Sequence, residues 1–260
     1  MWNVARAQMY QLKKDFMAWG CSFLALLCTF IINLDSFKGK MTGSEVTTLM
    51  TENMNIMAGM LVMMIIVANV MGKDFMDKTL NYEVMSGHTR KEVFFGRVIV
   101  ATCAGVVCSF LVIIAVPVVL TAINGWGNTM ELQGVLIRCL LLFITLFRIA
   151  WELAFLTTLT KNPYITYLVS YVFAMVQLFA VTAKMNYTDM EISPLLPVTN
   201  YFNLFTFQDW ATFFLDETDQ IVYSSAVTPE MVLWAVIPSI VIGTGILLFS
   251  YVFFKHDDLN

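Results

Sequence analysis

Residues 72–97 read GKDFMDKTLNYEVMSGHTRKEVFFGR, a polar interval between two apolar runs. It holds five of the fifteen Lys and Arg residues: Lys73, Lys78, Arg90, Lys91 and Arg97. Basic loops between membrane spans stay on the cytoplasmic side. The interval predicts a short helix over about 75–85, a break at Ser86-Gly87 and a restart into the next span.

Composition fixes the class. Hydrophobic residues make up 58% of the chain, charged ones 13%, and mean hydropathy is +0.73. A soluble domain cannot hide that much apolar side chain, whereas lipid solvates it. A span needs about 20 apolar residues. Six runs qualify, at about 17–33, 55–71, 97–122, 135–159, 163–183 and 231–254, the first being short. The expected fold is an all-α membrane protein with six transmembrane helices in a single domain covering residues 1–260.

Lys and Arg orient it. Arg6, Lys13, Lys14, the five of the central interval, Lys161 and Lys255 fall on one side. Lys38, Lys40 and Lys184 fall on the other, so both termini are expected in the cytoplasm. The outer loop 184–230 carries seven Asp or Glu. The net charge of −4 thus reflects that loop, and nothing suggests nucleic-acid binding. The first apolar run lacks a small-x-small cleavage site and reads as a retained span. The five cysteines all fall within spans, where they read as small packing residues rather than a disulfide framework or zinc site.

Trp2, Ala5, Met9, Leu12 and Phe16 recur at spacings of three and four, which predicts an amphipathic interfacial helix over 2–15. The second span is methionine-rich, with Met54, Met57, Met60 and Met63 at every third position and Met64 beside them. Thioether stripes carry soft metals, make pliable interfaces or pathway walls, or simply pack. No His or Cys joins them, so no metal site is expected. Arg148 and Glu152 lie four apart in the fourth span and can pair on one helix face. An unpaired charge at the bilayer centre is costly, so the pair should face protein or a wet cavity, as a structural tie or as part of a pathway. Arg138 is expected to snorkel to the outer surface. Asn69 and Gln177 are candidate inter-helix hydrogen-bonding groups.

The loop 184–230 is long for a connection and aromatic in its middle, with Tyr201, Phe202, Phe205, Phe207, Trp210, Phe213 and Phe214. It suits re-entrant or interfacial helices, or a lid over the spans. Asn186-Tyr187-Thr188 matches a glycosylation sequon, a weak pattern. A phosphate-binding G-x-x-x-x-G-K-[ST] loop and H-E-x-x-H are both absent, which argues against ATP binding of that kind and against an intramembrane metallohydrolase.

These features resemble the permease subunit of ABC-2 type ATP-binding-cassette exporters over essentially the whole chain. The local pattern consists of Asp74, Lys78-Thr79-Leu80, Ser86, Arg90-Lys91 and Gly96-Arg97. Lys161-Asn162 and Ser193-Pro194 also fit. Asp74 stands where Glu is commoner in the family. The resemblance implies that 2–15 is an elbow helix and that 75–85 is a coupling helix seated in an ATPase. Asp74, Phe75, Lys78, Thr79, Leu80, Glu83, Ser86, Arg90 and Lys91 would be its ATPase-coupling residues. Met57, Met60, Met64, Asn69, Arg148, Glu152 and Gln177 are the candidate pathway or buried polar residues. The resemblance further implies two P-loop ATPase partners that hold ATP and Mg, a second permease chain forming a homodimer or heterodimer, and no catalysis or cofactor on this chain. Size and loop pattern are closest to bacteriocin and lantibiotic immunity permeases of the bacterial cytoplasmic membrane. Expected cargo is then a hydrophobic or amphipathic substrate, such as an antimicrobial peptide or drug. The alternative is a non-transporting sensor or immunity protein that binds a ligand at its outer loop.

Overall fold

A computed structural model describes residues 1–50, 55–186, 204 and 224–256. The described residues are helical and contain no strand. Ten helices follow in order: α1 (Trp2–Lys14), α2 (Phe16–Ile32), α3 (Leu34–Lys38), α4 (Gly43–Thr48), α5 (Asn55–Met76), α6 (Leu80–Met85), α7 (Arg90–Asn124), α8 (Leu132–Thr160), α9 (Pro163–Asn186) and α10 (Pro229–His256). Four of them, α5, α7, α8 and α10, are each long and apolar enough to cross a membrane. The pair α1–α2, bent by 59° at Asp15, makes a fifth if it is taken as one broken span. By itself α2 has 17 residues, a rise of about 26 Å.

The helices overrun the apolar segments that announce them. The third run, expected at about 97–122, lies in a helix of 35 residues. The cause is capping: Thr89 accepts from the Glu92 N–H while the Glu92 carboxylate accepts from the Thr89 N–H, so the helix starts well before its apolar stretch. Likewise the helices α9 and α10 run to Asn186 and from Pro229, which trims the expected 184–230 loop. The expected features at 187–203 and 205–223, including the sequon's Tyr187 and Thr188, Ser193-Pro194 and the aromatic run, lie outside the described residues.

The expected helix at 75–85 is divided. Helix α5 continues through Met76, and a turn at Asp77–Thr79 separates it from α6. Lys78 takes a left-handed φ of 56°. Its N–H donates to the Phe75 carbonyl, and the Thr79 N–H donates to that of Asp74. This is a Schellman stop with lysine where glycine is usual. The same device closes α6 at the predicted break. Gly87 has φ 98°, which glycine adopts without strain, and the Gly87 and His88 N–H groups donate to Val84 and Glu83.

The antiparallel pair α5 and α7 forms the centre, and α10 lies along α8. Small residues set the first contact. A Cβ built on Gly59 would stand 2.4 Å from Ile113 Cγ1, and one on Gly105 would stand 3.0 Å from Val67 Cγ2. Close backbone approach of this kind is how helices associate where lipid removes the usual hydrophobic drive. Around them Val62, Met63, Ile66, Val67, Ala101 and Ile113 are buried.

Helix α1 meets the expected amphipathic pattern in part. Ala5 and Leu12 are buried, together with Val4 and Gln8, against α7. Trp2 and Met9 are 69% and 39% exposed, so the helix has one face on protein and an apolar edge left open, while Phe16, 89% exposed, falls beyond the bend in α2. Asp15 ends the helix by capping the next one: its Oδ1 accepts from the Met17 and Ala18 N–H groups.

Candidate functional site

The end of the bundle that carries the basic interval is organised by Arg97. This residue sits in the second turn of α7 and is 1% exposed. Its Nη2 lies 2.7 Å from Asp74 Oδ2 at the foot of α5 and 3.0 Å from Glu83 Oε2 in α6. Proximity rather than alignment makes these contacts, because the guanidinium N–H bonds aim at neither carboxylate well enough to form hydrogen bonds. Gln8 of α1 supplies aligned bonds, its Nε2 donating to Asp74 Oδ2 at 3.1 Å and to Glu83 Oε1 at 3.4 Å. Thr79 Oγ1 donates to Asp74 Oδ1 at 2.9 Å. Four helices therefore meet on one cation.

The nine residues implied for ATPase contact separate accordingly. Asp74 and Glu83 point inward to Arg97 within this chain. Leu80 is buried, and Phe75 packs edge-on against Phe254 of α10 with ring centres 5.8 Å apart. Arg90 Nη1 donates to the Lys255 carbonyl at 2.7 Å, where a cation suits the end of α10. Lys78, Thr79, Ser86 and Lys91 are exposed. Between them stand Tyr82 and Met85, 71% and 82% exposed, which the sequence reading passed over. A cleft of about 640 Å³ opens between α1, the foot of α5 and α6, lined by Gln8, Asp15, Lys73, Asp77 and Tyr82 among others.

The intramembrane candidates also divide. Arg148 and Glu152 form the ion pair that their spacing permits: Nε donates to Oε1 at 2.9 Å, with side chains 3% and 20% exposed. They border a cavity of about 360 Å³ between α5, α8, α9 and α10. Met60 and Met64 line the same cavity, so four of the seven candidates come together. The other three stand elsewhere. Met57 packs against the core, Asn69 accepts a hydrogen bond from the Tyr167 hydroxyl of α9, and Gln177 is buried in α9. Ser170, which no sequence signal singled out, lines the cavity too.

Arg138 contradicts its expectation of reaching the surface. It is 3% exposed, and its Nη2 donates to the carbonyls of Ser224 and Ala226 at 3.1 and 2.7 Å, with the Leu204 carbonyl 3.5 Å from Nη1. The physical reason lies one turn earlier. A Cβ on Gly134 would stand 2.3 Å from the Ser225 carbonyl oxygen, so the chain lies directly on α8. Carbonyls held that close to a buried guanidinium replace water as its partners. The protein's polar ties include one more pair missed from sequence, Asn33 Nδ2 donating to Asn55 Oδ1 at 2.9 Å.

The five cysteines are free. No protein-family model matches the chain, and no curated protein matches it.

Proposed function

We propose that this chain is the membrane-spanning subunit of an ABC-2 type exporter, crossing the bacterial cytoplasmic membrane six times with both termini inside. On this reading α1 is the elbow helix and α6 the coupling helix. ATP is hydrolysed by two separate P-loop subunits, and a second permease chain completes the transporter. The cargo is hydrophobic or amphipathic, with antimicrobial peptides and drugs the leading classes.

One observation carries the reading. A six-residue helix is clamped through Arg97 between two long apolar helices, yet presents Tyr82 and Met85 outward beside Lys78 and Lys91. Large apolar side chains within a basic, polar surface mark a contact for another protein. A helix tied through Glu83 and Arg97 to α7 and the foot of α5 would pass a push from that partner into the bundle. The inward ties of Asp74 and Glu83 move the proposed contact from the carboxylates to the exposed ridge.

The test is purification of the tagged chain from its host in mild detergent. A P-loop ATPase should accompany it. Tyr82→Ala with Met85→Ser, which removes surface groups only, should sharply lower both the ATPase recovered and its stimulation. An ATPase that never copurifies, or that ignores the double variant, refutes the coupling role. For topology, in a background without the native cysteines, Lys40→Cys and Asn128→Cys should label on intact cells and Ser86→Cys should not. Labelling of Ser86→Cys without permeabilisation would overturn the orientation.

A further inference from the structure

We infer that the cavity between α5, α8, α9 and α10 is a binding site for an uncharged, hydroxylated amphiphile of the monoacylglycerol kind. Its volume of about 360 Å³ falls within the range of small-molecule sites, about 300–1,000 Å³. Met60, Met64, Phe155, Phe173 and Ile246 give it apolar walls. Val169 and Phe173, 41% and 49% exposed, carry those walls out onto the apolar surface of α9, where an acyl chain can lie.

Three polar groups define the headgroup. Arg148 and Glu152 neutralise each other, so a charged headgroup would add an unbalanced charge in a low-dielectric setting, which is costly. An uncharged one adds none. Glu152 Oε1 accepts from Arg148 Nε while a fifth of the Glu152 side chain stays open, so its carboxylate has room for a second donor. Ser170 is 2% exposed and lines the cavity, and its Oγ has no hydrogen-bond partner among the described residues. Helical hydroxyls normally bond back to the carbonyl four residues earlier. Thr145, Thr157 and Thr158 do so in α8; Ser170, Thr102, Ser109 and Ser239 do not, and of these four only Ser170 lines the cavity. A buried hydroxyl left unpaired is unfavourable until something pairs with it. Hydroxyls both donate and accept, so a glycerol headgroup can serve Glu152 and Ser170 alike.

This site lies within one chain, and its occupancy is measured without nucleotide or ATPase, independently of the transport reading. The purified chain in phosphatidylcholine nanodiscs would be exposed to a monoacylglycerol carrying a photoactivatable diazirine, and the labelled residues mapped by mass spectrometry. Labelling should saturate, fall on the cavity walls and be displaced by unlabelled monoacylglycerol. Ser170→Ala should weaken that displacement about two- to tenfold, the worth of one hydrogen bond, without lowering the thermal midpoint. Ala174→Phe should fill the cavity and abolish labelling. Unsaturable labelling, equal displacement by a long-chain amine or lysophosphatidylcholine, or a Ser170→Ala variant that binds like the parent would each overturn the inference.

Discussion

Arg97 and Asp74 are joined across 2.7 Å, one at the start of α7 and the other at the foot of α5, with the arginine 1% exposed. The contact closes the hairpin that the basic interval forms. It also commits Asp74 to a partner within the chain. Removing one member of a buried ion pair costs about 3–5 kcal/mol in soluble proteins, because the other member is left uncompensated.

For that reason Arg97→Met should be the most damaging single change at this end of the bundle. It leaves Asp74 and Glu83 both facing Gln8 with no cation between them. Thermal unfolding in detergent should shift down strongly, and protease should cut near α6. Adding Asp74→Asn and Glu83→Gln should recover part of the loss. A triple variant as unstable as Arg97→Met would mean that the carboxylates are not what Arg97 supports.

The Arg148–Glu152 pair separates a structural from a transport role. Glu152→Gln should lower stability and membrane yield, and Arg148→Met with Glu152→Gln should restore much of both. A smaller effect than in water-soluble proteins is expected, since snorkelling and water defects soften the penalty. A double variant that is stable but inactive in export would assign the pair to transport instead. One no more stable than Glu152→Gln alone would tell against the direct pairing.

Loss of the Arg138 clamp should free the chain that lies on α8. Arg138→Met removes the donor that holds the carbonyls of half-buried Ser224 and exposed Ala226, which water can then reach. Hydrogen exchange at residues 224–228 should quicken while the centre of α5 stays protected. Unchanged exchange there would show that Gly134 packing alone holds the segment.

Packing at the centre is tested by Gly59→Ala. The added methyl meets Ile113 Cγ1 at 2.4 Å, and overpacking of this kind costs about 1–3 kcal/mol. Ile113→Ala removes the opposing atoms, so the double variant should be more stable than the sum of the single effects predicts. Strict additivity in the thermal midpoints would show that the two residues do not touch.

The sequence by itself determined the class, an all-helical chain with several helices apolar enough to cross a membrane. A mean hydropathy of +0.73 with charge confined to intervals admits few other solutions, and the break at Gly87 was legible because only glycine adopts φ 98° freely. The pairing of Arg148 with Glu152 was legible as well, since a spacing of four is a property of one helix. Other features needed the tertiary structure. Lys78 in a left-handed turn split the expected 75–85 helix, and lysine carries no signal for that role. Arg97 meets residues 23 and 14 positions away, and Arg138 meets carbonyls of a segment 86 and 88 positions away. Ser170 became a candidate only when α5, α8, α9 and α10 enclosed a cavity around it. Periodicity reports what one helix does with its own faces. Which buried charge finds which partner is decided by how helices pack, because desolvation makes each such group take whatever the fold brings within reach.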